Sequence, residues 1–513
     1  MTKGKRLLLA LTGAMLLPGC ATIEVPRTYS TALDGDASTT TYLGAWAQQA
    51  AKQHEELNGL RLLTEGPVAF ALRVALAEHA QKTLDVQTYI FGNDHAGRAL
   101  LKRMLHAAQR GVRVRLLLDD TASLGKQDML AAFDSHPNTE VRVFNPIPAA
   151  RRSWLGYHLA LAVDFEHRHR RMHNKLWLAD GAVGITGGRN LSDEYFEVAD
   201  SKLNFNDLDV LAIGPVVDAL SESFDDYWNY PLAVPLRYFV QAPPAAWHDL
   251  LAELNASGGQ ERALSAPSPV QRLVGEAGQA LLASLEWAPV IALWDRPEKL
   301  DAEGYPALEL TLLDQLGDAF RSLKRRLLII SPFVVPTPAS IRYQETLAER
   351  GITLTLLTNS LEAMDHPSLH GAYAPWRPAL LANGARLFEL RAAPEAEDES
   401  RTSDDISSLH IKAMAFDDER VFIGSMNADP RAVWWNSEIG LLVDSPALGQ
   451  QLWSLAEQGM DPKRSYRVRL EDGRLIWQTE VAGRRVTLEK EPGGAWRHFQ
   501  SWTIRLLNIE HLL

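Results

Sequence analysis

The feature that most limits what this chain can fold into is an internal repeat, which sets the architecture before any single element is assigned. Between Pro67 and Lys82 apolar residues recur at helical spacing (Phe70, Val74, Ala77), and Leu84 to Ile90 alternates as a strand. Gly97 to Gln109 is again helical, Gly111 ends that helix, and Val112 to Leu118 is an apolar strand running into Asp119-Asp120. The same order returns 240 to 243 residues later. Leu312, Leu316, Phe320 and Leu323 mark a helix, Leu327 to Ser331 a strand, a second helix runs to Arg350 and Gly351, and Ile352 to Leu357 is a strand. Apolar strands alternating with helices imply α/β layers, with parallel strands joined by crossover helices. The expectation is two similar α-β-α sandwich halves packed side by side, over 58–240 and 276–460. Pro243, Pro244, Gly258, Gly259, Pro267 and Pro269 put the linker at 241–275. The acidic, Ser-rich stretch 392–408 reads as a solvated loop. Alternation around Asp472-Gly473 and Gly483 predicts a small β-meander within 461–513, closed by an apolar end, Ile504 to Leu513, that docks on the body.

The 513 residues are 46% apolar and 23% charged, which suits folded domains with full cores. A net charge of −12 argues against nucleic acid as a partner, because polyanion binders usually carry a basic face. The single cysteine, Cys20, excludes an intramolecular disulfide and a Cys-based zinc site. Lys3, Lys5 and Arg6 precede an apolar run from Leu7 to Leu17, too short to span a bilayer. Leu17-Pro18-Gly19-Cys20 is similar to a bacterial lipobox. Residues 1–19 therefore read as a signal peptide and Cys20 as the lipidated residue, the alternative being a retained hydrophobic anchor. Either form places the chain at a membrane of the bacterial envelope, facing the periplasm, and Ala21 favours the outer membrane. Residues 21–57 then form a polar tether and an N-terminal helix.

Each half carries the same chemistry-bearing pattern. His173, Lys175 and Asp180 in the first half match His410, Lys412 and Asp417 in the second, with identical spacing. Both patterns continue to a tight turn, Gly187-Gly188 and Gly424-Ser425, and reach Asn190 and Asn427 17 residues after their histidines. One His beside a Lys is ordinary in a core or on a surface. Two copies in register are not. On a strand, residues two apart share a face, so each His and Lys should point together. The set suits phosphodiester transfer: one histidine as nucleophile, the other as acid, with two lysines and two asparagine amides around the anionic oxygens. A nucleophilic imidazole must be neutral, with its second nitrogen held by a carboxylate or carbonyl. Glu438, 28 residues after His410, is the candidate in the second half, and Asp207, 34 residues after His173, holds the corresponding place in the first. Asp180 and Asp417 read as structural members of the motif, bonding turn backbone. No metal-ligand cluster accompanies the motifs, since Asp119 and Asp120 read as strand-end caps, and no cofactor is expected.

These paired motifs resemble the phospholipase D superfamily over roughly residues 60–450. The resemblance implies a bilobal fold with one active site between the halves and a metal-free, two-step path through a phosphohistidine. It makes His173, Lys175, Asp180, His410, Lys412 and Asp417 the catalytic motif, with His173 as nucleophile and His410 as acid by superfamily habit. Gly188 departs from Ser425 and removes a hydroxyl donor on one side, a variant that bacterial lipid-active members resemble. GGRNLSDEYFEV, LDVLAIGPVV, TNSLEAMDHPSLHGAYAPWR, SMNADPRAVWWNSEIGLLV and the closing LLNIEHLL are similar to bacterial cardiolipin synthases, especially the C type. That narrower resemblance implies phosphatidyl transfer to phosphatidylglycerol, with phosphatidylethanolamine associated with the C type as a donor. Membrane phospholipids are then the partners, and one chain can complete the site because both motifs lie in it.

Two flanking segments stay open between readings. Residues 151–171 mix Trp154, Leu155, Tyr157, Leu159 and Leu161 with Arg151, Arg152, Arg168, Arg170 and Arg171. They form either a lip that dips into the headgroup layer or an ordinary amphipathic connector. Tyr373 and Trp376-Arg377 either shape an acceptor pocket or pack a core. For the function, the alternatives to a lipid transferase are a phospholipase D or phosphodiesterase with water as acceptor, a nuclease of the same superfamily, and a non-catalytic lipid binder. The acidic balance and membrane address count against the nuclease. The non-catalytic reading predicts the loss of a motif histidine, and neither is lost.

Overall fold

A computed structural model describes residues 28–54, 56–147, 156, 168–197, 203–256, 276–392 and 406–507. The signal-like segment with Cys20 and most of the basic-aromatic stretch 151–171 lie outside these residues.

Two mixed sheets form the body. In the first, Thr83–Thr88, Arg113–Asp119 and Thr139–Phe144 run parallel, and Leu176–Ala179, Val183–Gly187, Asp209–Ile213 and Asn58–Leu63 continue antiparallel. In the second, Arg326–Ile330, Thr353–Asn359 and Arg386–Leu390 run parallel. Ala413–Phe416, Arg420–Gly424, Ile439–Asp444 and Val290–Trp294 continue antiparallel. The seven strands take the same spatial order in both halves. The repeat read from apolar patterning is therefore a repeat of topology. The strands read from the sequence as crossover-linked neighbours are parallel, and the strands that follow each motif add antiparallel, so each sheet is mixed. Helices such as His95–Gln109 and Pro338–Glu349 serve the parallel strands, whereas the strands after each motif return through hairpins that need no crossover.

Alternate residues of each strand feed different cores. In Asp209–Ile213, Leu211 and Ile213 pack with helices Gly66–His79 and His95–Gln109 on the outer face. Val210 and Ala212 point inward, to helix Val216–Trp228. That inner core is shared: Leu328, Ile330, Ala413, Ile423 and Leu441 of the second sheet join it, with Leu452 and Ala456 of helix Pro446–Gly459. A third cluster covers the far face of the second sheet. The two halves are thus packed through one continuous apolar layer.

Several boundaries differ from the sequence reading. Helix Ala246–Ala256 lies inside the expected linker and packs Leu250 and Leu254 into the first half's outer core. The chain changes sheets at Pro289, because Glu286–Ala288 edges the first sheet and Val290–Trp294 the second. The helix expected over 312–323 is broken into Leu312–Gln315 and Gly317–Ser322. Around Ser30 and Ala32 the tether is bound to the first half rather than loose. Arg115 donates to the Ser30 carbonyl at 2.9 Å, Trp228 Nε1 to the Ser30 hydroxyl at 2.9 Å, and the Ala32 amide to Asp225 at 2.7 Å. The meander is present as Ser465–Glu471, Arg474–Val481 and Arg484–Leu488, and it extends the second sheet past Arg386–Leu390. The last described element, helix Ala495–Leu507, packs against helix Pro367–Tyr373. Tyr373 and Arg377 belong to a buried network. The Tyr373 hydroxyl and Arg377 Nε donate to Glu389 at 2.9 and 2.7 Å, and Trp477 Nε1 donates to the same carboxylate at 2.9 Å. That favours core packing over an acceptor pocket. No described helix is long and apolar enough to cross a membrane.

The motif aspartates close the hairpins. Asp180 and Asp417 sit at φ +54° and +55°. The Asp180 carboxylate accepts the amides of Gln81, Lys82 and Thr83 at 2.9, 2.7 and 3.0 Å. Asp417 accepts those of Lys324, Arg325 and Arg326 at 3.0, 2.7 and 3.0 Å. Each clamps the hairpin to the start of the neighbouring parallel strand. Charge-assisted bonds to three amides, lost at a positive φ that disfavours alanine, predict that Asp180→Ala costs about 2–4 kcal/mol. Urea denaturation checks this, and an unchanged midpoint would remove the clamp role.

Candidate active site between the halves

Two very short parallel pairings build the site. Arg171–Met172, just before the first motif histidine, pairs with Asn436–Ser437, just before Glu438. Leu203–Asn206, just before Asp207, pairs with Ile406–Leu409, just before His410. In each pair the register is Met172 opposite Ser437 and Asn206 opposite Leu409. One residue further on, parallel strands put His173 beside Glu438 and Asp207 beside His410. The backbone confirms the continuation: the His173 amide donates to the Ser437 carbonyl at 3.1 Å and the His410 amide to the Asn206 carbonyl at 2.8 Å. The Asp119 carboxylate accepts the Met172 amide at 3.0 Å and so steadies the approach to His173, besides capping its own strand end.

The result is two crossed dyads. His173 Nδ1 lies 2.9 and 3.1 Å from the Glu438 oxygens, and His410 Nδ1 lies 2.6 Å from Asp207 Oδ2. Each carboxylate serves the histidine of the other half. The sequence reading paired each with its own half, and the structure corrects it. The cause is chain direction: a carboxylate that follows its own half's hairpin emerges at the interface, where the partner half's histidine arrives on a parallel strand. His173, Lys175, His410 and Lys412 are all buried. They do not lie within ladder strands as expected, but in extended links between the interface pairings and the strands Leu176–Ala179 and Ala413–Phe416. Lys175 Nζ donates to the His173 carbonyl at 2.8 Å, and Lys412 Nζ to the His410 carbonyl at 2.7 Å while lying 3.0 Å from His410 Nδ1.

Electrostatics separate the dyads. Burial, then the positive charges of Lys175 and Lys412, hold the His173 imidazole well below its ordinary value. Burial pushes its partner Glu438 well above the carboxylate range, against the pull of Lys175 and the Ser425 hydroxyl. For Asp207, burial is outweighed by His410, Lys412 and Arg189, so that carboxyl is held low. His410 is lowered by burial and Lys412, with Asp207 opposing. Burial, then mutual repulsion with Lys412 set against the attraction of Glu438, lowers the Lys175 ammonium to about 7. Burial likewise brings Lys412 to about 8, against Asp207 and Glu438. Two buried lysines thus share the site with both histidines, and burial weakens the hold of each lysine on its proton.

The turn residues take roles other than expected. The Ser425 hydroxyl bonds Glu438 and accepts the Ile439 amide at 3.0 Å, so it orients the dyad rather than facing a substrate. At Gly188 a Cβ would stand 2.0 Å from Asp207 Oδ1. The missing hydroxyl is thus the space Asp207 occupies, not a lost donor. Asn190 Oδ1 accepts the Ile90 amide at 3.1 Å, a chain-crossing bond, while Asn427 Oδ1 is buried with no partner among the described residues. Sequence reading missed the aromatic walls: Tyr89 stands edge-on to His173 at 5.0 Å, and Tyr195 edge-on to His410 at 5.0 Å. It also missed Arg189, which is buried and donates to the Asp207 carbonyl at 2.7 Å, and Asp365, whose charge acts on both His410 and Lys412. Nothing in a single sequence marks Tyr89 or Asp365. Arg189, one residue before Asn190, was legible as a cation inside a motif turn.

Comparison with known proteins identifies the family and the fold. A family model described as the PLD-like domain of cardiolipin synthase matches residues 74–228 and 316–459, the two halves. Cardiolipin synthase C of Escherichia coli is 37% identical over 477 residues, covering 90% of this chain and 97% of that protein. Cardiolipin synthase A of Pseudomonas entomophila is 25% identical, over 84% of this chain and 74% of its own length. The crystal structure of phosphatidylserine synthase from Haemophilus influenzae superposes with a TM-score of 0.58 at 13% identity, covering 91% of this chain and all of that one, which shows the shared fold. With both motif-bearing halves matched and most of its length aligned to such relatives, the chain belongs to the cardiolipin synthase family of phospholipase D-like proteins.

Proposed function

We propose that this chain is a membrane-attached phosphatidyltransferase that makes cardiolipin-type lipids through a phosphohistidine. The observation that carries it is the pair of crossed dyads, which sets two histidines and two lysines in one buried site made by both halves. His173 Nδ1–H is held by Glu438, which leaves Nε2 with a lone pair for phosphorus. Asp207 is held low and opposes the lowering of His410, whereas His173 is lowered further, so of the two histidines His410 is the one better placed to hold a proton. In the first step the His173 Nε2–P bond forms as the bond from phosphorus to the headgroup alcohol breaks, and His410 gives its proton to the departing oxygen. In the second, an acceptor hydroxyl yields its proton to His410 and attacks phosphorus, the P–N bond breaks, and His173 is regenerated. Lys175 and Lys412 offset the charge on the non-bridging oxygens.

Phosphatidylglycerol fits as acceptor and phosphatidylethanolamine as a further donor, and a single chain completes the site. The lipobox-like Leu17-Pro18-Gly19-Cys20 supports lipidation at Cys20, with the body facing the periplasm from the outer membrane.

Three outcomes test the reading. Purified protein in phosphatidylglycerol vesicles, with and without phosphatidylethanolamine, should yield cardiolipin by mass spectrometry. His410→Ala should lower the rate at least about 1,000-fold. Phosphatidic acid without cardiolipin would make water the acceptor and the chain a hydrolase. Second, the cations lose charge as pH rises, so kcat/KM should fall on the alkaline side between about 7 and 8. A profile flat through that range would remove the lysines from phosphate binding. Third, Asp207→Asn should slow turnover more than Glu438→Gln, because the acid needs the ionised partner. The reverse order, in single-turnover assays, would exchange the roles of the two histidines.

A further inference from the structure

The described surface leaves few large apolar side chains exposed, and three of them share one helix. Trp496, Phe499 and Trp502 of Ala495–Leu507 are 68%, 48% and 49% exposed. Spaced three apart, they occupy one arc of the helix, with Trp496 stacked on Phe499 at 5.4 Å and Phe499 tilted against Trp502 at 6.1 Å. A ladder of exposed tryptophan and phenylalanine is costly in water, and such rings favour the headgroup level of a bilayer. The helix is otherwise firmly placed. It packs on Pro367–Tyr373, and Arg497 reaches the carbonyls of Leu361 (3.2 Å) and Met364. The next residue, Asp365, acts by charge on His410 and Lys412. The aromatic face is therefore fixed beside the loop that borders the active site.

Charge selects the occupant. The whole chain is −12, yet residues 461–513 carry ten Lys and Arg against seven Asp and Glu. Arg467, Arg474, Arg484, Arg485 and Lys490 are exposed, and Arg467 lies in the repulsive field of Arg469 and Arg386. A basic segment that bears an aromatic face in an otherwise acidic protein is complementary to an anionic lipid surface.

We propose that the C-terminal helix Ala495–Leu507 is an interfacial docking element that seats Trp496, Phe499 and Trp502 in an anionic bilayer and so presents the mouth of the active site to lipid. This rests on the reading that the substrate is bilayer phospholipid, and its test needs no turnover. A Phe499→Cys variant of the full chain is labelled with an environment-sensitive fluorophore, with the unsubstituted chain labelled in parallel to subtract Cys20. Trp496→Cys gives a second site should the first misfold, and Tyr238→Cys, on the first half, gives a label away from the proposed face. Vesicles of phosphatidylglycerol with phosphatidylethanolamine should shift the emission at 499 and 496 to shorter wavelength, at least about tenfold more at equal lipid than phosphatidylcholine vesicles, with the effect weakened by salt and absent at 238. No shift at either helix site would overturn the proposal. A shift already present without vesicles and growing with protein concentration would also overturn it, in favour of a second copy of the chain. An equal response to both vesicle types would overturn the anionic preference. Cardiolipin formation with no emission shift would sink the docking element alone, and a shift without any lipid turnover would sink the enzymatic reading alone.

Discussion

Everything in this molecule that bears on chemistry depends on two parallel pairings, two and four residues long, between the halves. Such pairings have little intrinsic stability, since isolated short ladders are marginal in water. They persist because the shared inner core, from Leu60 and Val210 on one side to Ile330 and Leu441 on the other, already holds the halves in contact. The apolar layer supplies the free energy and the short pairings supply the register. Register is the demanding part. A slip of one residue would turn His173 or Asp207 to the opposite face, and both dyads would be lost.

Crossing the dyads has a consequence for stability and function together. In a design where each histidine met a carboxylate of its own half, either half could be locally correct while the two sat apart. Here neither histidine is oriented until both halves are docked. Burial makes that dependence strict, because an imidazole or carboxyl left alone in this interior meets the full desolvation penalty. Docking of the halves and assembly of the chemistry are therefore one event.

The repeat, the order of helices and strands, the histidine–lysine pairs and both carboxylates were legible in the sequence, because they depend on local period and on spacing within each half. Partnership between halves was not. Spacing of 28 and 34 residues identifies Glu438 and Asp207 as a matched pair of arms but carries no information on which histidine each one meets. The parallel strands were legible, but the antiparallel part of each sheet was not, because buried strands look alike in composition whichever way they run and the hairpins after Lys175 and Lys412 lie within the motif itself. The crossing between sheets at Pro289 was not legible, because the strands on either side of it follow one another without a compositional break. Tyr89 and Asp365 reach the site only through folding, so no neighbour in sequence announces them.

The difference between the two arms explains the one departure in the motifs. In the second half a long Glu438 side chain reaches His173, and the Ser425 hydroxyl donates to Oε2, the same oxygen that lies nearest His173 Nδ1. In the first half a shorter Asp207 reaches His410 only by coming nearer the turn, where any Cβ at residue 188 would collide with it. Glycine at 188 and aspartate at 207 are thus one co-adapted solution, and serine at 425 with glutamate at 438 is the other. The two solutions are not electrostatically equal. Burial raises the glutamate against Lys175 and the Ser425 hydroxyl, while His410, with the charges of Lys412 and Arg189, outweighs burial at the aspartate and holds it low. A duplicated fold starts with two equivalent histidines, and phosphoryl transfer requires one that attacks and one that gives a proton. Exchanging a serine–glutamate pair for a glycine–aspartate pair is a sufficient physical means of making equivalent halves unequal.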